Sequence, residues 1–403
     1  MVSPAGENMD DHAFTQVQRI EMGSRAVTII LLCVISGISC TAPGRKKDRS
    51  VKASADSVTT DAQRFRIERN DSCTILTISD PWQGAEGVNH VFYLVGRDQE
   101  PLHNDSLSII YVPVEKIVCM SSTHVAMIKA LGMEKTICGI SGTDFIYDSV
   151  LAAMAANGHI PEIGYDAAIN TELIISLNPD LIMMYGVGSE SMSYVSRLSA
   201  LGIKVMYNAD YLETDPLAKA GWIRVFGALY GLEDRADSIY VSIASEYGRI
   251  RRAVKESSRI RPTVLLGLPY RDTWYISPGN SYINTLIHDA GGEYLWENTT
   301  SGFSMPYSIE AVYLKALQAD FWLNIGTVST KGEIESFDSR LKNLPAYING
   351  NLYNNTGRMS AGGGNDYWES GTLNPHILLK DIASILNPGI FGDYSLIYYK
   401  KIK

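Results

Sequence analysis

The sequence predicts an α/β protein of two Rossmann-like lobes with mainly parallel sheets, joined by a long spine helix and separated by a cleft. Three observations carry this. Short apolar runs, "KIVCMSS", "TICGIS", "DLIMMYG" and "KVMYNAD", alternate with stretches of helical spacing, "THVAMIKALGM", "NTELIISLN" and "MSYVSRLSALGI". Strand and helix taking turns in this way argue for parallel strands covered on both faces. A second such set follows Ile260, with "TVLLGLP", "TWYISPG", "FWLNIG" and a weak "LYNN" as strands, and "SYINTLIHDAGG", "SIEAVYLKALQA" and "NPHILLKDIASILN" as helices. Between the sets, "LEDRADSIYVSIASEYGRIRRAVKES" keeps helical spacing for about 25 residues, roughly 40 Å as a single helix.

In chain order, residues 1–40 read as an export segment. "MGSRAVTIILLCVISGISC", Met22 to Cys40, has one Arg, an apolar run of about a dozen residues, then small residues and Cys. The run is shorter than the roughly 20 residues of a transmembrane helix. The polar residues before it make Met22 the expected start of translation. Ser39-Cys40 resembles a bacterial lipobox, with Gly37 where Leu is usual. That resemblance implies a diacylated Cys40 holding the chain to a membrane; the alternative is a plain cleaved signal in which Cys40 has no role. Residues 41–60 have almost nothing to bury and read as a flexible tether of roughly 25 Å.

Residues 61–211 form the expected first lobe. It opens on "RFRIERNDSCTILTISDPW" and "HVFYLVG", which have a period near two and are interrupted by Gly84 and Gly87, as in an antiparallel pair. Residues 212–258 hold the linking and spine helices, with Asp215-Pro216 starting the first and Gly231 separating the two. Residues 259–403 form the second lobe.

At 403 residues, 45% hydrophobic and 20% charged, the chain can bury a large core. A formal charge of −9 with no long basic run argues against a phosphate-tracking surface for nucleic acid. Of the five cysteines, Cys33 lies in the signal and Cys40 takes lipid, leaving Cys73, Cys119 and Cys138, so at least one thiol is free. Cys119 and Cys138 fall in β-like runs, as small buried hydrophobes do. No C-x-x-C, H-x-x-x-H or H-E-x-x-H spacing occurs, so neither a built-in metal site nor a cofactor is expected.

"KIVCMSSTHVAMIKALGMEKTICGIS", "IPEIGYDAAINTELIISLNPDLIMMYG", "GWIRVFGALYGLED" and "SIEAVYLKALQADFWL", in that order, resemble the helix-spine class of ABC-transporter substrate-binding proteins, which carry ferric siderophores, haem or cobalamin. The resemblance runs from about Val114 to Pro388. It implies a ligand held between lobes that close only slightly, then handed to a membrane permease. In characterised relatives an exposed Glu on each lobe docks against arginines of the dimeric permease, and the matching positions are Glu172 and Glu310. Without the resemblance both read as solvated carboxylates favoured early in a helix by its dipole. Asp180 follows Glu172 by eight positions but Asp320 follows Glu310 by ten, so the second helix is expected to be longer or differently ended.

Ligands of parallel α/β lobes bind beyond the carboxyl ends of the strands. The loops there nominate Ser122, Thr123, Tyr185, Tyr211, Arg271, Trp274, Asp366 and Trp368 as ligand-binding residues. Ser121 to Thr123 should cap a helix; whether its free amides also receive an anionic group is open. His124 is either structural or an iron ligand. Tyr185 falls where relatives place an aromatic against the ligand, or it caps the sheet. Arg271 suits carboxylate, phosphate or catecholate oxygens, or forms a weak surface pair with Asp272. Trp274 and Trp368 lie in polar, turn-rich surroundings and are expected to expose flat apolar area, whereas Trp322 reads as core. Trp82 belongs to the opening pair and plugs that end of the lobe. Asp366 comes from the late segment "GGGNDYWESG".

The function that follows is a lipid-anchored carrier of the bacterial envelope, facing the periplasm, which captures a metal chelate and delivers it to an ABC permease dimer. No bond is made or broken. A chelatase-like enzyme on the same scaffold would need ligand clusters or an acid/base pair, for which no convincing set exists. A surface binding protein without a permease would leave Glu172 and Glu310 freely replaceable.

Overall fold

The computed structural model describes residues 56–57, 62–70, 72–99, 108–165, 168–186, 195, 197–257 and 260–403. The export segment with Cys40 and the tether lie outside these residues. So does part of the helix expected over 192–203.

The chain enters through strands β1 (Asp56–Ser57), β2 (Phe65–Arg69), β3 (Thr74–Ser79), β4 (Asn89–Gly96) and β5 (Ile109–Val112), which form one sheet in that order. The period of two is visible in its packing: Phe65, Ile67, Leu76, Ile78, Phe92 and Leu94 are buried, while Arg66 on the opposite face is exposed. The expected antiparallel opening is present in β2, β3 and β4, and a further strand joins at each edge. β1 to β4 are antiparallel, but β5 joins parallel to β4, aligning Tyr93 with Ile109. Four residues of strand are too few to show a period, and a parallel partner gives no hairpin signal.

Next come β6 (Ile117–Cys119), α1 (Ser122–Ala130), β7 (Ile137–Ile140), α2 (Ser149–Ala156), α3 (Thr171–Leu177), β8 (Leu181–Met184) and β9 (Val205–Tyr207). The four strands form an all-parallel sheet in the order β7-β6-β8-β9. Every residue of β8 is buried, as a strand covered on both faces requires.

Helices α4 (Pro216–Ala220), α5 (Ile223–Tyr230) and α6 (Glu233–Ser257) lead out of the lobe. Asp215 caps α4, its carboxylate accepting from the amides of Leu217 (2.7 Å) and Ala218 (3.0 Å) with Pro216 in the first turn. Gly231, left-handed at φ 64°, ends α5 and lets α6 begin two residues later. The 25 residues of α6 make the expected spine. Its Ala236, Tyr240 and Ile243 enter the first lobe's core, while Tyr247, Ile250 and Val254 enter the second's.

The second lobe comprises β10 (Thr263–Leu266), β11 (Thr273–Ile276), α7 (Tyr282–Asp289), β12 (Glu293–Tyr294), β13 (Met305–Ser308), α8 (Ile309–Ala316), β14 (Phe321–Leu323), α9 (Lys331–Phe337), α10 (Pro345–Ile348), β15 (Leu352–Asn354), α11 (Pro375–Leu386) and β16 (Lys400–Lys401). Its sheet runs β12-β10-β14-β15-β16, parallel except for β16. The weak "LYNN" signal is thus a true strand. β11 instead leaves the sheet and pairs antiparallel with β13, setting Trp274 opposite Tyr307.

That pairing overturns the expected exposure of Trp274. The side chain is 0% exposed, its ring lies 5.8 Å from that of Trp322, and its indole N–H donates to Leu266 O at 3.1 Å. Both tryptophans are core. Among the described residues no helix is long and apolar enough to cross a membrane.

Candidate functional site

Residues Asp56–Lys403 form one unit, in which the carboxyl ends of both parallel sheets lead into loops that meet between the lobes. On the first lobe, Ser121 Oγ caps α1, accepting from Thr123 N at 3.3 Å and lying 3.1 Å from the Thr123 hydroxyl. Ser122 and Thr123 therefore sit in a capped first turn, half-buried. His124 behind them is fully buried, 6.3 Å from the ring of Phe226, and burial holds its pKa down at about 3, so the imidazole is neutral.

After β7, Glu162 ties two loops together. Its carboxylate accepts from the amides of Gly142 (3.0 Å), Thr143 (2.6 Å) and Gly164 (2.7 Å) and from the Thr143 hydroxyl (3.0 Å). After β8, Tyr185 is half-buried against the cluster that includes Trp82. A Cβ on Gly186 would lie 2.5 Å from that of Trp82, so only glycine lets the turn after β3 close over the sheet. Trp82 meets His90 edge-on and Tyr207 at a tilt there, each with ring centroids 5.5 Å away, and covers that end of the sheet. The Tyr211 hydroxyl donates to Gly186 O and accepts from Gln83 N at 3.2 Å, which makes it a brace for the same turn.

On the second lobe, Arg271 is exposed at φ 53° with its guanidinium 5.2 Å from the Tyr270 ring. No ion pair with Asp272 forms, because the left-handed backbone turns Arg271 onto the ring of its other neighbour. Trp368 is 46% exposed and meets Tyr367 edge-on at 4.7 Å. Asp366 departs from the ligand-facing position expected of it. It is 2% exposed and lies 2.6 Å from Arg358 Nε, and a carboxylate so deep is stable only when paired.

The segment around these residues clasps the first lobe. Glu369 reaches across to accept from Tyr147 N at 2.7 Å and Asp148 N at 3.1 Å. Arg358 lies 5.0 Å from the Tyr147 ring, and a Cβ on Gly364 would lie 2.5 Å from Phe145 O, so the backbones touch. Burial pushes the Glu369 carboxyl up to about 7; the Tyr147 amide and Lys129 oppose this and Asp366 adds to it. Gln83 Nε2 donates to Gly302 O (3.1 Å), a further link between the lobes, and Thr285 Oγ1 donates to Thr214 O (3.1 Å), tying the second lobe to the linking segment. Sequence reasoning missed Glu369 and Glu162. The sole signal for Glu369 was a carboxylate in a glycine-rich loop.

The two candidate docking carboxylates lie on exposed helix starts. Asn170 caps α3, accepting from Leu173 N at 3.0 Å, and Ser308 caps α8, accepting from Ala311 N at 3.3 Å. Glu310 pairs with Arg340 at 3.1 Å, and Arg340 also holds Asp338. Its local backbone amide and Arg340 together hold the Glu310 carboxyl below the usual range. Asp180 accepts from the amides of Glu115 (2.8 Å) and Lys116 (3.0 Å), and Asp320 from Thr263 N (2.8 Å), so each pins its strand to the strand beside it. The spacing difference has a plain cause: α3 has 7 residues and ends on left-handed Asn178, whereas α8 has 8 and ends on right-handed Leu317.

Among the described residues no group of three or more His, Cys, Asp or Glu could hold a metal ion. Cys73, Cys119 and Cys138 are free thiols, and burial raises Cys138 to about 11.

A family model described as "Periplasmic binding protein" matches residues 117–357, starting at β6 and leaving β1–β5 outside. An uncharacterised lipoprotein of Methanocaldococcus jannaschii is 24% identical over 296 residues, covering 71% of this chain and 68% of that protein. A periplasmic haem-binding protein from Pseudomonas aeruginosa superposes with a TM-score of 0.54 at 16% identity, over 72% of this chain and 98% of that one. A protein from Staphylococcus epidermidis, recorded as a possible iron-binding, periplasmic solute-binding protein, gives 0.53 at 16% identity, over 68% and 99%. The two solved structures share this chain's two-lobed fold.

Proposed function

This chain belongs to the periplasmic binding protein family, and from that premise we propose that it is the substrate-binding lipoprotein of an ABC importer. It captures a ferric siderophore, haem or a cobalamin-type chelate between its lobes and delivers it to a permease dimer. The observation that carries this reading is the pair of parallel sheets joined by α6, with loops of the two lobes brought against each other between them. Exposed aromatic side chains on loops of both lobes, Tyr165 on the first and Phe303 and Trp368 on the second, offer flat apolar area to a large chelate. The haem and iron recorded for the two structural relatives support that ligand class.

In this reading Ser122, Thr123, Tyr185, Arg271 and Trp368 contact the ligand, Tyr211 and Asp366 brace the loops, and Trp274 supports them from the core. Glu172 and Glu310 meet the permease. Cys40, outside the described residues, carries the lipid that keeps the protein facing the periplasm at the membrane. The cleft binds and releases, and no bond is broken in it. Titration of the purified protein with haemin, cyanocobalamin and ferric hydroxamate and catecholate chelates, followed by absorbance and tryptophan fluorescence, should give saturable one-to-one binding to at least one. Failure of all of them to bind would refute the chelate carrier.

A further inference from the structure

Two crossings between the lobes are made by segments outside the family match at residues 117–357. One is the clasp, residues 358–373. Its Leu373, 5% exposed, is built into the first lobe's core, and Glu369 accepts from the first-lobe amides of Tyr147 and Asp148 at 2.7 and 3.1 Å. A Cβ on Gly362 would lie 2.8 Å from Asp144 O, so the backbones touch there as they do at Gly364. The other crossing is the turn between β3 and β4. Asp80 closes its base, donating its amide to Val88 O (2.8 Å) and accepting from Val88 N on its carboxylate (3.0 Å). Trp82 and the Tyr211 hydroxyl fasten the turn to the first lobe, and from its tip the Gln83 side chain donates to Gly302 O on the second. Gly302 lies in a loop tied to its own lobe, where Ser301 N donates to Asn280 Oδ1 at 3.1 Å. Each partner is thus fixed to its own lobe, and the Gln83–Gly302 bond breaks when the lobes part.

Strand order puts the two crossings on opposite flanks. In the first sheet, β7-β6-β8-β9, the clasp meets the loop after edge strand β7, whereas the turn covers Gly186 and Tyr207 at the ends of β8 and β9. In the second, β12-β10-β14-β15-β16, the clasp follows β15 and Gly302 follows edge strand β12. The loops after β6, β10 and β14, which carry Ser122, Thr123, Arg271 and Asn324, fall between them. The crossings differ in strength. Opening the clasp would strip Leu373 from a core and a buried carboxylate from two amides. The turn crosses with one neutral hydrogen bond within reach of water, which shifts a closed-to-open ratio by about two- to tenfold.

We propose that these two additions to the family scaffold act as a fixed flank and a latch: residues 358–373 hold one side of the lobes together, and ligand enters and leaves past the Gln83–Gly302 bond on the other. This rests on the carrier reading and adds to it the route of exchange. The strap keeps the opening small, and the turn sets how often it occurs.

The test follows haemin, cyanocobalamin and ferrioxamine B by stopped-flow quenching of tryptophan fluorescence. For a chelate that binds, Gln83→Ala should raise the association and dissociation rates together by about two- to tenfold and leave affinity within about twofold, since the latch closes the empty and the loaded protein alike. Gln83→Cys with Gly302→Cys, joined by a short bifunctional thiol reagent, should exchange that chelate at least about tenfold more slowly than the unjoined variant. A Cβ at residue 302 has open space, and single-cysteine variants control for reaction at Cys73. Unchanged rates in Gln83→Ala, a change confined to affinity, or unslowed exchange in the joined protein would each overturn the latch while leaving the carrier standing. Binding of none of the three chelates would remove the carrier reading and the latch with it.

Discussion

Glu172 and Glu310 hold the same station on their helices, each the second residue after a capping side chain, yet among the described residues Glu310 is paired and Glu172 is not. Arg340 lies 3.1 Å from Glu310, with both side chains substantially exposed. Under the proposed docking, an arginine of the permease would meet an open carboxylate on one lobe and an occupied one on the other.

Replacing both residues, Glu172→Ala with Glu310→Ala, should leave chelate affinity unchanged and abolish uptake in cells. Arg340→Ala should free Glu310 and strengthen permease association by no more than about fivefold, the scale of an exposed ion pair. Association of the carrier with the permease in nanodiscs at varied salt would measure both. Uptake that persists in the double variant would remove the docking role.

Trp274 and Trp368 should behave oppositely. Trp274→Ala opens a cavity beside Trp322 and should destabilise the protein by about 3–5 kcal/mol in denaturant unfolding. Trp368→Ala removes a half-exposed ring, should change stability by less than about 1 kcal/mol, and should weaken chelate binding. Equal effects of the two on binding by folded protein would contradict the division into core and cleft.

The clasp should respond to pH. Glu369 titrates near 7 in the folded protein against an ordinary 4.5, so the folded state holds its proton more tightly than the unfolded chain does. Its contribution is complete below pH 4.5 and is lost as the pH rises to about 7. Hydrogen exchange at the Tyr147 and Asp148 amides should therefore quicken across that interval beyond its intrinsic pH trend. Glu369→Gln should flatten the response and cost about 1 kcal/mol, because its amide nitrogen cannot accept one of the two bonds. A wild-type profile that the substitution leaves unaltered would show that another group governs the clasp.

For the anchor, Cys40→Ala should move the protein from the membrane fraction to the soluble one in fractionated cells. Retention in the membrane would end the lipid-anchor proposal.

Much of this architecture was legible because it rests on local signals. The alternation of apolar runs marks both parallel sheets, Asp215-Pro216 marks the start of α4, and Gly231 marks the break before α6. Contacts between distant segments were not legible. Trp274 has polar neighbours in sequence, and nothing there reveals that β11 will pair with residues 305–308 and turn its ring inward. Asp366 similarly gives no sign of the Arg358 that covers it. At the cleft, the loops could be named from strand order, but which side chains brace and which stay open depends on packing across the lobes. Tyr211 and Asp210 are adjacent in sequence, yet one holds Gly186 while the other leaves an oxygen unpartnered.

The spine carries a further consequence for how the molecule comes apart. Because α6 supplies Tyr240 and Ile243 to one core and Tyr247 and Ile250 to the other, neither lobe can melt without stripping side chains from the helix that completes its twin. The two lobes should share one thermal transition despite having separate sheets. A protease cut near Gly248 would unravel both together, so the connector is the joint keystone of two cores as well as the link between them.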